Sequence, residues 1–117
     1  MADAIDLREK LAAFSDRFAP RTLTSFNGHD VMVAKLEGAF VWHSHPDTDD
    51  FFLVLEGRLD IELRDRVVSL GPGQLFVVPR RVEHRPVAHG EVQVLLIERT
   101  GTPNTGDPAT AAPRRSL

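Results

Sequence analysis

Two histidines separated by one residue, His43 and His45, begin a segment that carries Asp47, Asp49 and Asp50 and then runs into the apolar stretch Phe51–Leu55 before Gly57. Alternate side chains of an extended chain share a face, so both imidazoles point the same way. Two imidazoles on one face with a carboxylate nearby can chelate a divalent metal ion. A third histidine, His84, follows a second apolar stretch, Leu75–Val78, and Pro79. A metal pocket is the leading reading of these residues.

The same residues exclude other chemistries. The chain has no cysteine, so there are no disulfides, thiolate ligands or cysteine nucleophiles, and any metal must rest on His and carboxylate groups. Ser44 lies between the two histidines but on the opposite face of the strand, where neither imidazole can activate its hydroxyl. Phe40 and Trp42 share that outer face, and an aromatic pair outside a small barrel suits a homodimer surface. His29, in the Asn27–Asp30 turn, and His89, beside Gly90, read as ordinary surface or core residues.

Strands must hold these side chains, and the pattern supplies them. From Arg21 to Arg99 short apolar or alternating runs are separated by turn residues at Asn27-Gly28, Glu37-Gly38, Pro46–Asp49, Glu56-Gly57, Arg64-Asp65, Gly71-Pro72-Gly73 and His89-Gly90. Asn27-Gly28 between two strand-like runs is a strong hairpin signal. Leu59, Ile61 and Leu63 alternate with Arg58, Asp60 and Glu62, as in a strand with one wet face. Phe51–Leu55, Leu75–Val78 and Val92–Ile97 are apolar on both faces, which implies strands covered on both sides. Seven or eight short strands favour an antiparallel sandwich or barrel. Residues 3–18 carry an apolar stripe of Ile5, Leu7, Leu11, Phe14 and Phe18 that predicts a helix ending before Pro20.

The organisation that follows is a helix packed on the barrel over 1–20, a barrel domain over 21–100, and a tail, partly mobile, over 101–117. At 117 residues, with 42% apolar and 26% charged residues and a net charge of −3, the chain reads as an ordinary globular domain. It shows no general attraction to nucleic acid and no membrane span. No signal-peptide core precedes the first strand, so a cytoplasmic location is expected.

The two histidine motifs resemble those of the cupin superfamily, small all-β proteins built as antiparallel jelly-roll β-barrels with a metal in the mouth. Gly38, His43-x-His45, Asp50 and Gly57 follow the first motif, with Asp50 standing where the family has Glu. Gly73, Pro79 and His84 follow the second, with Arg81 in place of a glycine and Ala88 in place of Asn. The resemblance covers roughly residues 25–100. It implies a metal held by His43, His45, Asp50 and His84, with Zn, Fe, Ni, Mn or Cu equally suited to the imidazoles. Asp50 reaches about 1.5 Å less far than glutamate, so direct ligation, a water bridge, Asp49 in its place, and a three-histidine site all stay open.

Phe52, Val54 and Arg81 are the expected pocket lining, the first two from the facing they share with Asp50 and the third as a charge near the second motif. Asp50 or Asp49 is the acid expected close enough for proton transfer. The expected function is a metal-dependent enzyme acting on a small polar molecule, with isomerase, dioxygenase and lyase chemistry unresolved. The alternative is a non-catalytic cupin that binds or senses a metal or small molecule. Fold does not choose between them.

Overall fold

Asn27 and Gly28 both adopt left-handed backbone angles, with φ of 50° and 75°, as the tight hairpin turn between adjacent strands requires. That turn joins β1 (Arg21–Phe26) to β2 (His29–Ala39), and Phe26 pairs with His29 across it. The remaining elements are α1 (Leu7–Leu11), β3 (Asp50–Leu63), β4 (Val67–Leu70), β5 (Leu75–Val78), β6 (His84–Arg99) and β7 (Arg115–Ser116). The computed structural model describes residues 3–113 and 115–117. Its strands form one sheet in the order β4-β3-β6-β2-β1-β7, with β5 also paired to β3. The pairings are antiparallel apart from β1 with β7. The sheet curls into a jelly-roll barrel whose hydrogen-bonded path stays open between β4 and β7.

The core is the inward face of the long strands. Met32, Ala34 and Leu36 from β2, Phe52, Val54, Leu59 and Ile61 from β3, and Val92, Val94 and Leu96 from β6 are all buried in one cluster. Their spacing by two is the strand period that the sequence shows. Among the described residues no helix is long and apolar enough to cross a membrane.

Three of the expected turns are bends inside continuous strands. Register shifts fall between Leu36 and Gly38 on β2 and on either side of Glu56 on β3. Gly38, Gly57 and Gly90 all have positive φ. A glycine after a polar residue reads alike as a turn or a bulge, and only the ladder partner decides. The bends position the site. A straight strand the length of β3 would span about 43 Å, and its last residue, Leu63, is the ladder partner of His84. Yet the Asp50 carboxylate, from the first residue of β3, lies 3.0 Å from the His84 ring. Curvature brings the two ends of one strand to a single pocket.

The N-terminal helix is shorter than the stripe predicts. It covers only Leu7–Leu11, capped by the Asp6 side chain on the Glu9 amide. The rest of the stripe serves β2 instead. Arg17 bridges Lys35, the Phe18 amide donates to the Lys35 carbonyl, and the Lys35 ammonium donates to the Phe14 carbonyl while lying over the Phe14 ring. A helix this short has little stability of its own, so packing on the strand prevails over periodicity.

Beyond Arg99 the chain returns across the barrel. Asn104 donates to the Phe18 carbonyl and accepts from the Ala112 amide, and β7 pairs in parallel with Arg21 and Thr22.

At Gly57, with φ of 89°, an added Cβ would stand 2.7 Å from the Glu91 carbonyl oxygen. Gly57→Ala is expected to destabilise the protein by more than about 1 kcal/mol, read from the urea midpoint, whereas Gly90→Ala, which meets no atom within 4 Å, is expected to cost less.

Candidate metal centre

His43 and His84 are locked together by their backbones. Each amide donates to the other's carbonyl, at 3.0 and 2.9 Å. His45 is fixed one step along the loop, where its carbonyl accepts from the Arg81 amide. Asp50 enters as the first residue of β3, paired with Val78. All four side chains are buried, and one ligand atom from each lies within 4.8 Å of the other three. The irregular segment from 40 to 49 keeps the two histidines on the interior side, with ring centroids 5.0 Å apart.

The hydrogen bonds fix the tautomers of two rings. A backbone carbonyl can only accept, so Nδ1 of His43 donates to Val41 and Nδ1 of His84 donates to Val82. In the neutral ring Nε2 is then a bare lone pair. The His84 Nε2 nevertheless lies 3.0 Å from Asp50 Oδ2, and the His45 Nε2 lies 3.2 Å from the same oxygen. Two acceptors at that distance repel unless a cation, either a ring proton or a metal ion, stands between them. Neither ring nitrogen of His45, a residue only 2% exposed, has a well-aligned hydrogen-bond partner. Backbone carbonyls that orient imidazoles by Nδ1 are the usual support for metal ligands. The donor set therefore fits a divalent ion.

Asp50, despite its shorter side chain, carries its carboxylate into the cluster. Asp49 does not. It is exposed and accepts from the Arg80 amide.

A small cavity opens beside His43 and Asp50. Phe18, Pro20, Ala34, Leu36, Phe40, Phe52, Pro86 and Leu96 make its apolar wall, with Glu98 and Asn104 as the other polar residues. Phe52 stands where its facing puts it. Val54 falls one step deeper, fully buried in the core, because the residue two further along β3 already lies beneath the cavity floor. Arg81 is not among the lining residues; it is exposed, with φ of 71°, and its Nε donates to the Pro46 carbonyl. Phe40 is turned inward rather than outward. Its ring stacks on Phe18 at 4.9 Å and meets the His43 ring edge-on. The chain leaves the sheet after Ala39, so strand alternation no longer governs residue 40. Trp42 does face away, covered by the guanidinium groups of Arg64 and Arg85, so the two aromatics form no common outer surface.

Glu98 is the acid that the sequence reading missed. It is buried and lines the same cavity as Asp50, whose carboxyl it helps to hold down. Its signal was present: Val92, Val94, Leu96 and Glu98 occupy successive inward positions of β6, and a carboxyl on a core face needs a reason. Asn104 carried no such signal, since the segment around it has no periodicity.

Burial pushes the His43 imidazole down from 6.5 to about 4, with smaller pushes from His84 and His45 and an opposing one from its Val41 hydrogen bond. For Asp50, burial alone would raise the carboxyl, but the close approach of the His45 and His84 imidazoles outweighs it and holds the group well below the usual carboxylate range.

A cupin-domain sequence model matches residues 30–98, and this chain belongs to that family. A curated relative, the uncharacterized protein YdbB of Bacillus subtilis (strain 168), is 31% identical over 109 residues, spanning 84% of this chain and 90% of that protein. A crystal structure of a cupin-2 domain protein from Shewanella frigidimarina NCIMB 400 is 39% identical, with a TM-score of 0.80 over 81% of this chain and 93% of that one. Protein NMB1881 from Neisseria meningitidis is 28% identical, with a TM-score of 0.76 over 84% of this chain and all of that one.

Because the folded His43 binds its proton less tightly than the unfolded one, the unfolded chain holds more protons between about pH 4 and 6.5. Its contribution to the stability of the metal-free protein is therefore fully present above pH 6.5 and lost as pH falls towards 4. Calorimetric melting of metal-free protein across this window is expected to show Tm falling with acidification, and a shallower fall in His43→Gln.

Proposed function

We propose that this cupin is a metal-dependent enzyme acting on a small, uncharged molecule with a largely apolar body and one oxygen-bearing end. The observation that carries this reading is the pair of Nε2 atoms, from His45 and His84, directed at one carboxylate oxygen of Asp50 beside a cavity that shares His43 and Asp50. His43, His45, Asp50 and His84 would hold the ion, one of Zn, Fe, Ni, Mn or Cu. When bound, such an ion polarises a coordinated oxygen as a Lewis acid.

The chain's own residues supply the rest. Phe18, Phe40 and Phe52 keep water from the bound molecule and offer their ring faces to its apolar body. No Lys or Arg lines the cavity, whereas two carboxyls do, which disfavours phosphorylated or polyanionic substrates. The Glu98 carboxyl stands on the cavity wall, where it can hydrogen-bond a substrate hydroxyl and pass a proton to or from it. The reading departs from an expected polar substrate because so much of the wall is apolar.

Elemental analysis of untagged protein is expected to find near-stoichiometric transition metal, lost in the His43→Ala/His45→Ala variant. No metal in either, even after reconstitution, would overturn the metal reading. With the metal-loaded protein, calorimetry is expected to show catechol binding at least about tenfold more tightly than glucose 6-phosphate. The reverse order would overturn the substrate class, and binding of neutral compounds without turnover of any would favour a sensing module.

A further inference from the structure

The cavity beside His43 and Asp50 is too small for the molecule it would receive. Its volume is about 40 Å³, whereas an apolar cavity that holds a benzene-sized ring measures about 150 Å³. Part of the wall has to give way, and most of it is fixed. Ala34, Leu36, Phe52, Pro86 and Leu96 lie on the paired strands β2, β3 and β6, and His43 is locked to His84 by two backbone hydrogen bonds. Phe18, Phe40 and Asn104 lie outside every strand.

The segment that carries Asn104 is joined more to itself than to the sheet. Residues 103–113 belong to no strand. Within them the Gly106 amide donates to the Pro103 carbonyl, the Thr110 amide to the Asp107 carbonyl, and the Ala112 amide to Asn104 Oδ1. Gly101, with φ of 88°, precedes the segment and β7 follows it, so both ends are anchored while the middle crosses the site. There Gly106 lies against the Ser44 backbone, between His43 and His45. Asn104 Nδ2 donates to the Phe18 carbonyl at 3.4 Å, a long bond. Phe18 is held at a φ of 55°, a left-handed angle that is costly for a bulky residue. Its half-buried ring stacks on Phe40, which meets His43 edge-on. Release of one long hydrogen bond thus frees a strained residue and the aromatic pair beside His43.

We propose that residues 103–113 are a lid on the cavity, latched by Asn104 to Phe18, which lifts to admit the organic molecule and closes behind it. Asn104 is a positioning residue that holds Phe18, and through it Phe40, against the site. A lid has a purpose only if the cavity receives a substrate, so this assignment rests on the function proposed for that site. It needs no metal to be present.

Diethyl pyrocarbonate, which acylates neutral imidazoles, tests it on the full chain after dialysis against a chelator, with each histidine followed by peptide mass spectrometry. His89, whose side chain is 52% exposed, is the reference. His43 is expected to react at least about tenfold more slowly than His89 in the unaltered chain, because it is reached only by local opening. Asn104→Asp keeps the acceptor for Ala112 and loses the donor to Phe18. It and Asn104→Ala should each speed the His43 reaction about fivefold, the effect of losing one neutral hydrogen bond, and leave His89 unchanged. Amide exchange at Val33 and Val94, which reports on the whole barrel, should not change. Equal His43 rates in all three proteins overturn the proposal. So does a His43 as reactive as His89 in the unaltered chain, since nothing would then be closed. A rise matched by faster exchange at Val33 and Val94 also overturns it, by making Asn104 a support of the whole fold. The labelling uses neither metal nor substrate, so its outcome is separate from any failure of catechol to bind.

Discussion

A buried carboxylate surrounded by imidazoles is the constraint on which this protein is organised. Asp50 sits in the interior with its Oδ2 in reach of both His45 and His84. An isolated ionised carboxylate in such a place would be too costly to keep charged. Here a cation shared with the neighbouring rings, a ring proton or a metal ion, holds it ionised, and the backbone carbonyls of Val41 and Val82 in turn hold two of the rings. The tautomers of His43 and His84 therefore follow from main-chain geometry, which is set by the barrel. Moving any of these strands by one residue would turn an Nε2 out of the cluster and leave the Asp50 charge without compensation.

The barrel's curvature and the site's composition are two sides of one arrangement. Bends at Gly38, Gly57 and Gly90 let the long central strands double over, so residues far apart along β3 and β6 face the same interior. The inward face changes character along its length, from Leu59 and Ile61 through Val54 and Phe52 to Asp50. On β6 it changes from Val92 through Leu96 to Glu98. The hydrophobic half supplies the packing that stabilises the fold, and the polar end uses the rigidity this gives.

Much of this could be read from the sequence, because the informative residues lie on strands. The period of two located the core of β2, β3 and β6, and turn chemistry located the Asn27-Gly28 hairpin; His43 and His45 share a side although their segment is not a regular strand. The resemblance to the second cupin motif brought His84 into the set. The misreadings arose where local pattern gives way to tertiary context. Phe14 and Phe18 fit a helical stripe but pack on β2 and the pocket, and Glu56-Gly57 looks like a turn whether the chain reverses there or only bulges. Phe40 lies just past the end of a strand, where alternation lapses. Glu98 was visible in principle as a charge at an inward position. Asn104 was not, because its place depends on where a segment without periodicity comes to rest.

That segment ties together two properties that proteins usually adjust separately. By way of Asn104 it forms part of the cavity wall and holds Phe18 in place, and Gly106 lies against the Ser44 backbone with no room for a side chain. A few residues on, β7 and the Leu117 amide pair with β1 at Arg21 and Thr22, covering backbone groups that would otherwise form an open sheet edge. Exposed edges recruit other strands and favour aggregation. A lineage that loosened this strap to admit a bulkier ligand would uncover that edge in the same step. Diversification of the pocket is therefore easier through Phe40, Phe52 and Leu36, whose replacement leaves the strap in place.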